Sequence, residues 1–368
     1  MRTVLLAIGV LGLLACVSGG ADAQHVSPVV LAPMQVDGGD FVGKDGDPAV
    51  DISGMACLPS DGARRTCLVI NDENTNAQLA TIQSDRMSVG LAVPLIGNKR
   101  DSNTLGALPE ATCEEAKKFK DLDGEGVAYA EPFFYVVGSH GCSRKDAEFR
   151  LSSFILARLR VDRQGRPTDT AGQPLAADKF AAAVETTYRV SDLLLRAKKV
   201  KKFFGEDLET DNGLNIEGIA VQGDTVWFGL RGPVRHGTAF LVGGSVADLF
   251  RPGHAASEAT PKVVPLDLDG LGIRDLAALP DKRLLVLAGA VHKPEVTFKL
   301  FVVDPDSAAA SAVGPLPKVK RRVDDEMVVG KAEGVTVIET SADKARIVVL
   351  FDGLVNGAPH RAEVTLSR

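Results

Sequence analysis

The chain has 368 residues, 45% of them hydrophobic and 24% charged, with a formal net charge of −6. Those fractions exclude a disordered chain, a collagen-like chain and a polytopic membrane protein. The acidic balance argues against nucleic acid as a partner. In chain order, Arg2, the apolar run from Val4 to Ala15 and the Ala21-Asp22-Ala23 pattern read as a signal peptide spanning residues 1–23. The run is too short to span a bilayer as a stable helix, so no transmembrane segment is expected. Leu13-Leu14-Ala15-Cys16 offers the alternative of a lipobox with a lipid on Cys16. Residues 24–368 are expected to form one domain, periplasmic or secreted and monomeric.

Four cysteines follow: Cys57, Cys67, Cys113 and Cys142. In an oxidising compartment they imply two disulfides, and three pairings exist. We favour Cys57–Cys67, stapling two neighbouring strands across a turn, and Cys113–Cys142. The latter ties a helix-like stretch, Glu110 to Lys120, to the loop after Val136-Val137.

Beyond the signal, short runs rich in Val, Ile, Leu and Phe alternate with Gly, Asp, Asn and Pro, which is the pattern of strands and turns. A motif recurs five times: a polar residue, Gly or its stand-in, an apolar residue, a small residue. Its copies are Ser53-Gly54-Met55-Ala56, Glu125-Gly126-Val127-Ala128, Glu217-Gly218-Ile219-Ala220, Arg274-Asp275-Leu276-Ala277 and Glu333-Gly334-Val335-Thr336. Each is followed by a second apolar strand, such as Cys67-Leu68-Val69-Ile70 or Ile347-Val348-Val349-Leu350. The copies begin 72, 92, 57 and 59 residues apart. A four-stranded blade takes about 40–50 residues, so each repeat is a blade with insertions. The fold read from this is an all-β propeller of five blades, with six as the alternative. The last repeat lacks a fourth strand, and Pro28 to Val36 is placed to supply it and close the ring. Glycine in the inner strand allows close approach at the narrow centre. A short helical insertion is expected over Val190 to Phe204, capped by Ser191.

In a ring, the inner-strand starts converge on one end of the central channel. This brings Glu125, Glu217 and Glu333 together, with Asp275 nearby. A second polar tier comes from the ends of the next strands: Asp72, His140, Arg231, His292 and Asp352. Converging carboxylates need a cation, arginine or protons. Oxygen ligands of this kind suit Ca²⁺ or Mg²⁺ at Glu125, Glu217 and Glu333, whereas Arg231 and Arg274 would neutralise the ring directly. Otherwise the same groups pair with strand-end amides and hold the blades together. The scattered histidines His25, His236, His254, His292 and His360 read as surface residues, His292 being also a candidate for the second tier. No G-x-S-x-G, H-E-x-x-H or P-loop occurs. The polar mouth therefore points to a small polar ligand, a cation or a protein partner.

Gly213-Leu214-Asn215-Ile216-Glu217-Gly218-Ile219-Ala220 with Trp227-Phe228-Gly229-Leu230-Arg231-Gly232-Pro233 resembles an uncharacterised family of secreted bacterial propellers. Asp123 to Ala128, Val137 to His140, Gly272 to Ala277 and Lys331 to Gly334 carry the same resemblance. It spans roughly Asp51 to Ser367, with Ser53 departing from the acid of the other repeats. The Glu-Gly-apolar pattern is more distantly similar to esterase-like phytases and gluconolactonase-type propellers. That similarity implies a phosphoester or lactone hydrolase using a divalent cation at Glu125, Glu217 and Glu333.

Overall fold

Five antiparallel meanders form because each repeat supplies alternating apolar strands broken by turn residues, and each strand pairs with its neighbour in sequence. The computed structural model describes residues 26–59, 64–110, 113, 115–143, 147–292, 297–323 and 326–366, without the side chains of 115–118 and 323. The signal peptide and the alternative lipid site at Cys16 lie outside the described residues.

The inner strands of blades 1 to 5 are Ile52–Cys57, Gly124–Ala130, Asn215–Gln222, Gly272–Ala278 and Lys331–Thr340. They neighbour one another in that order, and the fifth returns to the first, so the ring is closed. Blade 5 takes its outer strand from the N-terminal side: Ala32–Pro33 pairs antiparallel with His360–Thr365. Two residues on, Gln35–Asp37 pairs parallel with Arg86–Pro94 on the outer edge of blade 1. The N-terminal segment thus clasps both sides of the seam. Asn356 reinforces it, with Oδ1 accepting from Phe41 N at 2.8 Å and Nδ2 donating to Asp40 Oδ1 at 2.6 Å.

The core lies between blades. Cys67, Val69 and Ala80 of blade 1 pack with Val348 and Leu350 of blade 5, and Trp227 and Leu241 of blade 3 pack with Ile273 and Val286 of blade 4. The inner strands approach so closely that glycine is required. A Cβ on Gly54 would lie 3.0 Å from Gly126 Cα, and one on Gly218 would lie 3.0 Å from Asp275 Cα.

Cys57 and Cys67 face each other across the first hairpin and are bonded, as are Cys113 and Cys142. The stretch expected to be helix-like around Cys113 instead contains a strand, Glu115–Lys118, paired parallel with Glu148–Arg150. Pairing with a neighbouring segment overrides local helical tendency here. The insertion in blade 2 does carry a helix, Arg189–Arg196, but it starts earlier than expected. Tyr188 is its N-cap, and Ser191 is buried inside the first turn without capping. His360 is buried against Phe351 at the blade 5 edge, where a surface residue was expected. Among the described residues, no helix is long and apolar enough to cross a membrane.

Candidate functional site at the channel mouth

Every inner strand carries a bulge at the same place, and the bulged residue is the first of each motif: Ser53, Glu125, Glu217, Arg274 or Glu333. A bulge leaves one residue outside the ladder and re-aims its side chain. Two further positions repeat around the ring. Two residues before the bulge stand Asp51, Asp123, Asn215, Gly272 and Lys331. At the end of the second strand stand Asp72, Ser139, Arg231, Gly289 and Asp352. Deeper in the channel the lining turns apolar, with Met55, Val127, Ile219, Leu276 and Val335 around a space of about 80 Å³. The charged positions of the motif therefore stand at one end of this apolar stretch.

The bulged residues of blades 3, 4 and 5 meet at the axis. Arg274 Nε lies 2.9 Å from Glu217 Oε2, and its Nη2 bonds Glu333 Oε1. Arg231 Nη1 donates to Glu217 Oε1 at 2.8 Å, while its Nε donates to the Val291 carbonyl at 2.8 Å. Burial brings Arg274 down to about 10, with Glu217 opposing the change, so it stays charged at neutral pH. Burial also works against the Arg231 charge, but Glu217 outweighs it and the net shift is upward. Two of the three glutamates proposed as cation ligands are thus already bound by guanidinium groups. Glu125 lines the mouth beside Arg231. Among the described residues, no group of three or more His, Cys, Asp or Glu is arranged to hold a metal ion. The Glu125, Glu217 and Glu333 set does not fit a divalent cation, because both oxygens of Glu217 face arginines.

Asp275 does not join this ring. It occupies the glycine position of the motif, fully buried between blades 4 and 5. Its Oδ1 accepts from Leu276 N at 2.8 Å and its Oδ2 from Val335 N at 2.7 Å. Burial drives its pKa well upward against those two bonds. His140 is also withdrawn. It is buried against Phe154, its Nδ1 lies 2.8 Å from the Gly138 carbonyl, and burial lowers its pKa to about 4, leaving it neutral.

Where blades 5, 1 and 2 meet, the acids crowd one another. Asp51, Asp72, Asp123 and Asp352 come from the two repeating positions, and Glu73 adds a fifth carboxyl. Burial and then the charges of Asp123, Asp51, Asp352 and Glu73 raise Asp72 to about 8. Burial, Asp352 and Glu73 raise Asp51 to about 6. Lys331 Nζ reaches Asp352 Oδ2 at 2.5 Å, Lys44 lies 3.5 Å from Glu73, and Ser139 Oγ donates to Asp123 Oδ2. The sequence reading named Asp72 and Asp352 but missed Asp51, Asp123 and Asn215 as members. Their signal was positional, since all three stand two residues before a bulge.

Of these groups, Lys44, Asp72, Glu73 and Asp123 line a polar cleft of about 640 Å³. Asp72, Glu73, Asp123, Glu125, Asn215 and Arg231 form its inner wall. Lys120, Asp121 and Arg150 stand near its rim, with Cys142 of the second disulfide. The Oδ1 atoms of Asp72 and Asn215 are buried and accept no hydrogen bond. Asn215 as a residue is only 9% exposed. Acceptors of this kind are costly unless a donor meets them.

A closed five-blade propeller with a polar mouth is the class that fold and site define. Residues 98–365 match the family model described as protein of unknown function (DUF3616), and the chain belongs to that family. No curated protein matches the chain in sequence. Among solved structures, the chain is similar to MPT-4, a mannose phosphorylase from Leishmania mexicana, at 13% identity and a TM-score of 0.40, covering 92% of this chain and 88% of that one. It is also similar to the catalytic domain of a Coprinopsis cinerea GH62 α-L-arabinofuranosidase, at 10% identity and a TM-score of 0.43, covering 93% and 98%. A third similarity is to the Dos1 propeller, at 7% identity and a TM-score of 0.31, covering 89% and 73%.

Proposed function

We propose that this protein binds a small polar ligand in the cleft at the channel mouth, and that the ligand donates hydrogen bonds and carries positive charge. The observation that carries this reading is the carboxyl group of Asp72. It is crowded by four other acids, and its Oδ1 is buried without a donor. A cationic donor would relieve the repulsion and satisfy Asp72 and Asn215 together. Arg231, which lines the cleft, is held by its ion pair with Glu217. Two disulfides support an exported location, because such bonds persist in oxidising compartments.

Calorimetric titration of the purified protein with putrescine, glucosamine, glucose and calcium chloride tests this reading. Binding of an amine probe that weakens at least tenfold in Asp72→Asn is the expected result. Equal binding of glucose and glucosamine would overturn the charge assignment. Absence of binding by all four probes would overturn the site.

A further inference from the structure

A second cavity, of about 660 Å³, lies on the outer side of the seam where the ring closes. It is walled by the N-terminal segment at Val30 and Ala32, by blade 5 and by blade 1. Three of its lining residues are Arg65, Arg346 and Arg361. Their positions follow from register. Arg65 precedes Cys67 and Val69 on one face of the second strand of blade 1, and Arg346 precedes Val348 and Leu350 on the second strand of blade 5. Those four apolar residues pack together between the blades. The same two faces, continued by one step, present guanidinium groups to each other where the blade interface opens. Arg361 joins from the third strand of blade 5, paired with Val348 and with Ala32.

The charge balance is unequal. Glu339 is bound by Arg346, and Glu363 is bound by Lys344 at 2.6 Å. Both acids at the groove are therefore engaged, and Arg65 and Arg361 stand outside these two pairs. Burial, and then the charge of Arg346, disfavours the proton on Arg65. Like charges facing across a part-buried groove are repulsive unless an anion sits between them. Guanidinium groups bind phosphate-type oxyanions in a two-pronged geometry. Ile82, Ile338 and the 82% exposed Val30 supply apolar surface beside them.

We propose that this seam groove is a binding site for a ligand bearing a phosphate-type dianion on an apolar body, held by Arg65, Arg346 and Arg361. The site is independent of the channel-mouth cleft. By touching the N-terminal strand and blades 5 and 1 together, the ligand would brace the ring at its closure.

The test is titration of the intact protein with phenyl phosphate at constant ionic strength, in parallel with Arg65→Gln, Arg361→Gln and Glu339→Gln. The wild type is expected to bind, and Arg65→Gln and Arg361→Gln to raise Kd at least tenfold. Glu339→Gln is expected to lower Kd several-fold by releasing Arg346. Arg361 and Glu339 are exposed, so those two variants decide the matter even if Arg65→Gln fails to fold. No binding by the wild type would overturn the proposal. So would a Kd unchanged in both Arg361→Gln and Glu339→Gln, which would place the phosphate among the cations of the mouth.

Discussion

Asp275 shows how one residue changes the meaning of a repeat. Blades 1, 2 and 3 carry glycine at its position, since their inner strands nearly touch. At the junction of blades 4 and 5 a carboxyl group fills the gap and accepts two backbone N–H groups instead. Asp275→Ala should therefore cost about 2–4 kcal/mol, because it leaves buried donors unmet. Asp275→Asn should cost clearly less, since its carbonyl oxygen still accepts one bond. Urea denaturation compares them, and equal losses would contradict this role. The motif alignment pairs Asp275 with the glycines, yet the sequence reading still sent it to the channel. Spacing shows which position a residue holds, but the side the chain turns it toward depends on the bulge. The same limit applies to Arg274, whose place in the glutamate series is legible. Its bridging of Glu217 and Glu333 needs the closed ring.

At the scale of elements, the insertion between Val190 and Phe204 is held by an arginine that lies just before it. Arg189 is fully buried. Its Nε donates to Ala255 O at 2.9 Å, Nη1 to Leu249 O at 3.2 Å and Arg251 O at 2.5 Å, and Nη2 to Gly253 O at 2.6 Å. One guanidinium thereby gathers the carbonyls at the end of the short helix Val246–Leu249 and the loop that follows it. Lysine has three donors on a single atom and cannot span these acceptors. Arg189→Lys should cost about 3 kcal/mol or more, since it leaves buried carbonyls unpaired. In hydrogen exchange, the amides from 249 to 257 should lose protection while the strands of blade 1 keep theirs. Unchanged exchange in that loop would refute the assignment. The helix itself was expected from the sequence within Val190 to Phe204. Its start was not, because Tyr188 caps it without a side-chain bond. Around Cys113 the favoured disulfide pairing is the one formed, whereas the strand pairing with Glu148–Arg150 is a non-local contact that local composition does not encode.

The whole molecule separates two electrostatic solutions around one channel. On the side of blades 3, 4 and 5 the acids are neutralised by Arg231 and Arg274. Toward blades 5, 1 and 2 they are eased by protons and by Lys44 and Lys331 at the margin. The five-fold repeat and the strand that closes it were legible from self-similarity, as was the convergence of polar residues on one end. The division between compensated and crowded acids was not, because it depends on which blades become neighbours. That division has a consequence for stability. Asp51 and Asp72 are raised to about 6 and about 8 in the fold, against an ordinary aspartate value of about 4 in the unfolded chain. Between about pH 4 and 8 the folded state holds more protons than the unfolded state. Stability is then greatest at the acidic end of that window and falls as pH rises through it. Solvent at the mouth screens the effect, leaving a loss of about 2 kcal/mol, or about 4 °C in Tm.

The most direct measurement is thermal unfolding of the wild type and Asp72→Asn across pH 5 to 9 at fixed ionic strength. The crowded-acid account predicts that the wild-type Tm declines across this range. Asp72→Asn should flatten most of the decline and melt higher than the wild type at pH 9. Parallel curves for the two proteins, or a wild-type Tm that rises with pH, would contradict the claim that crowded acids define the channel mouth.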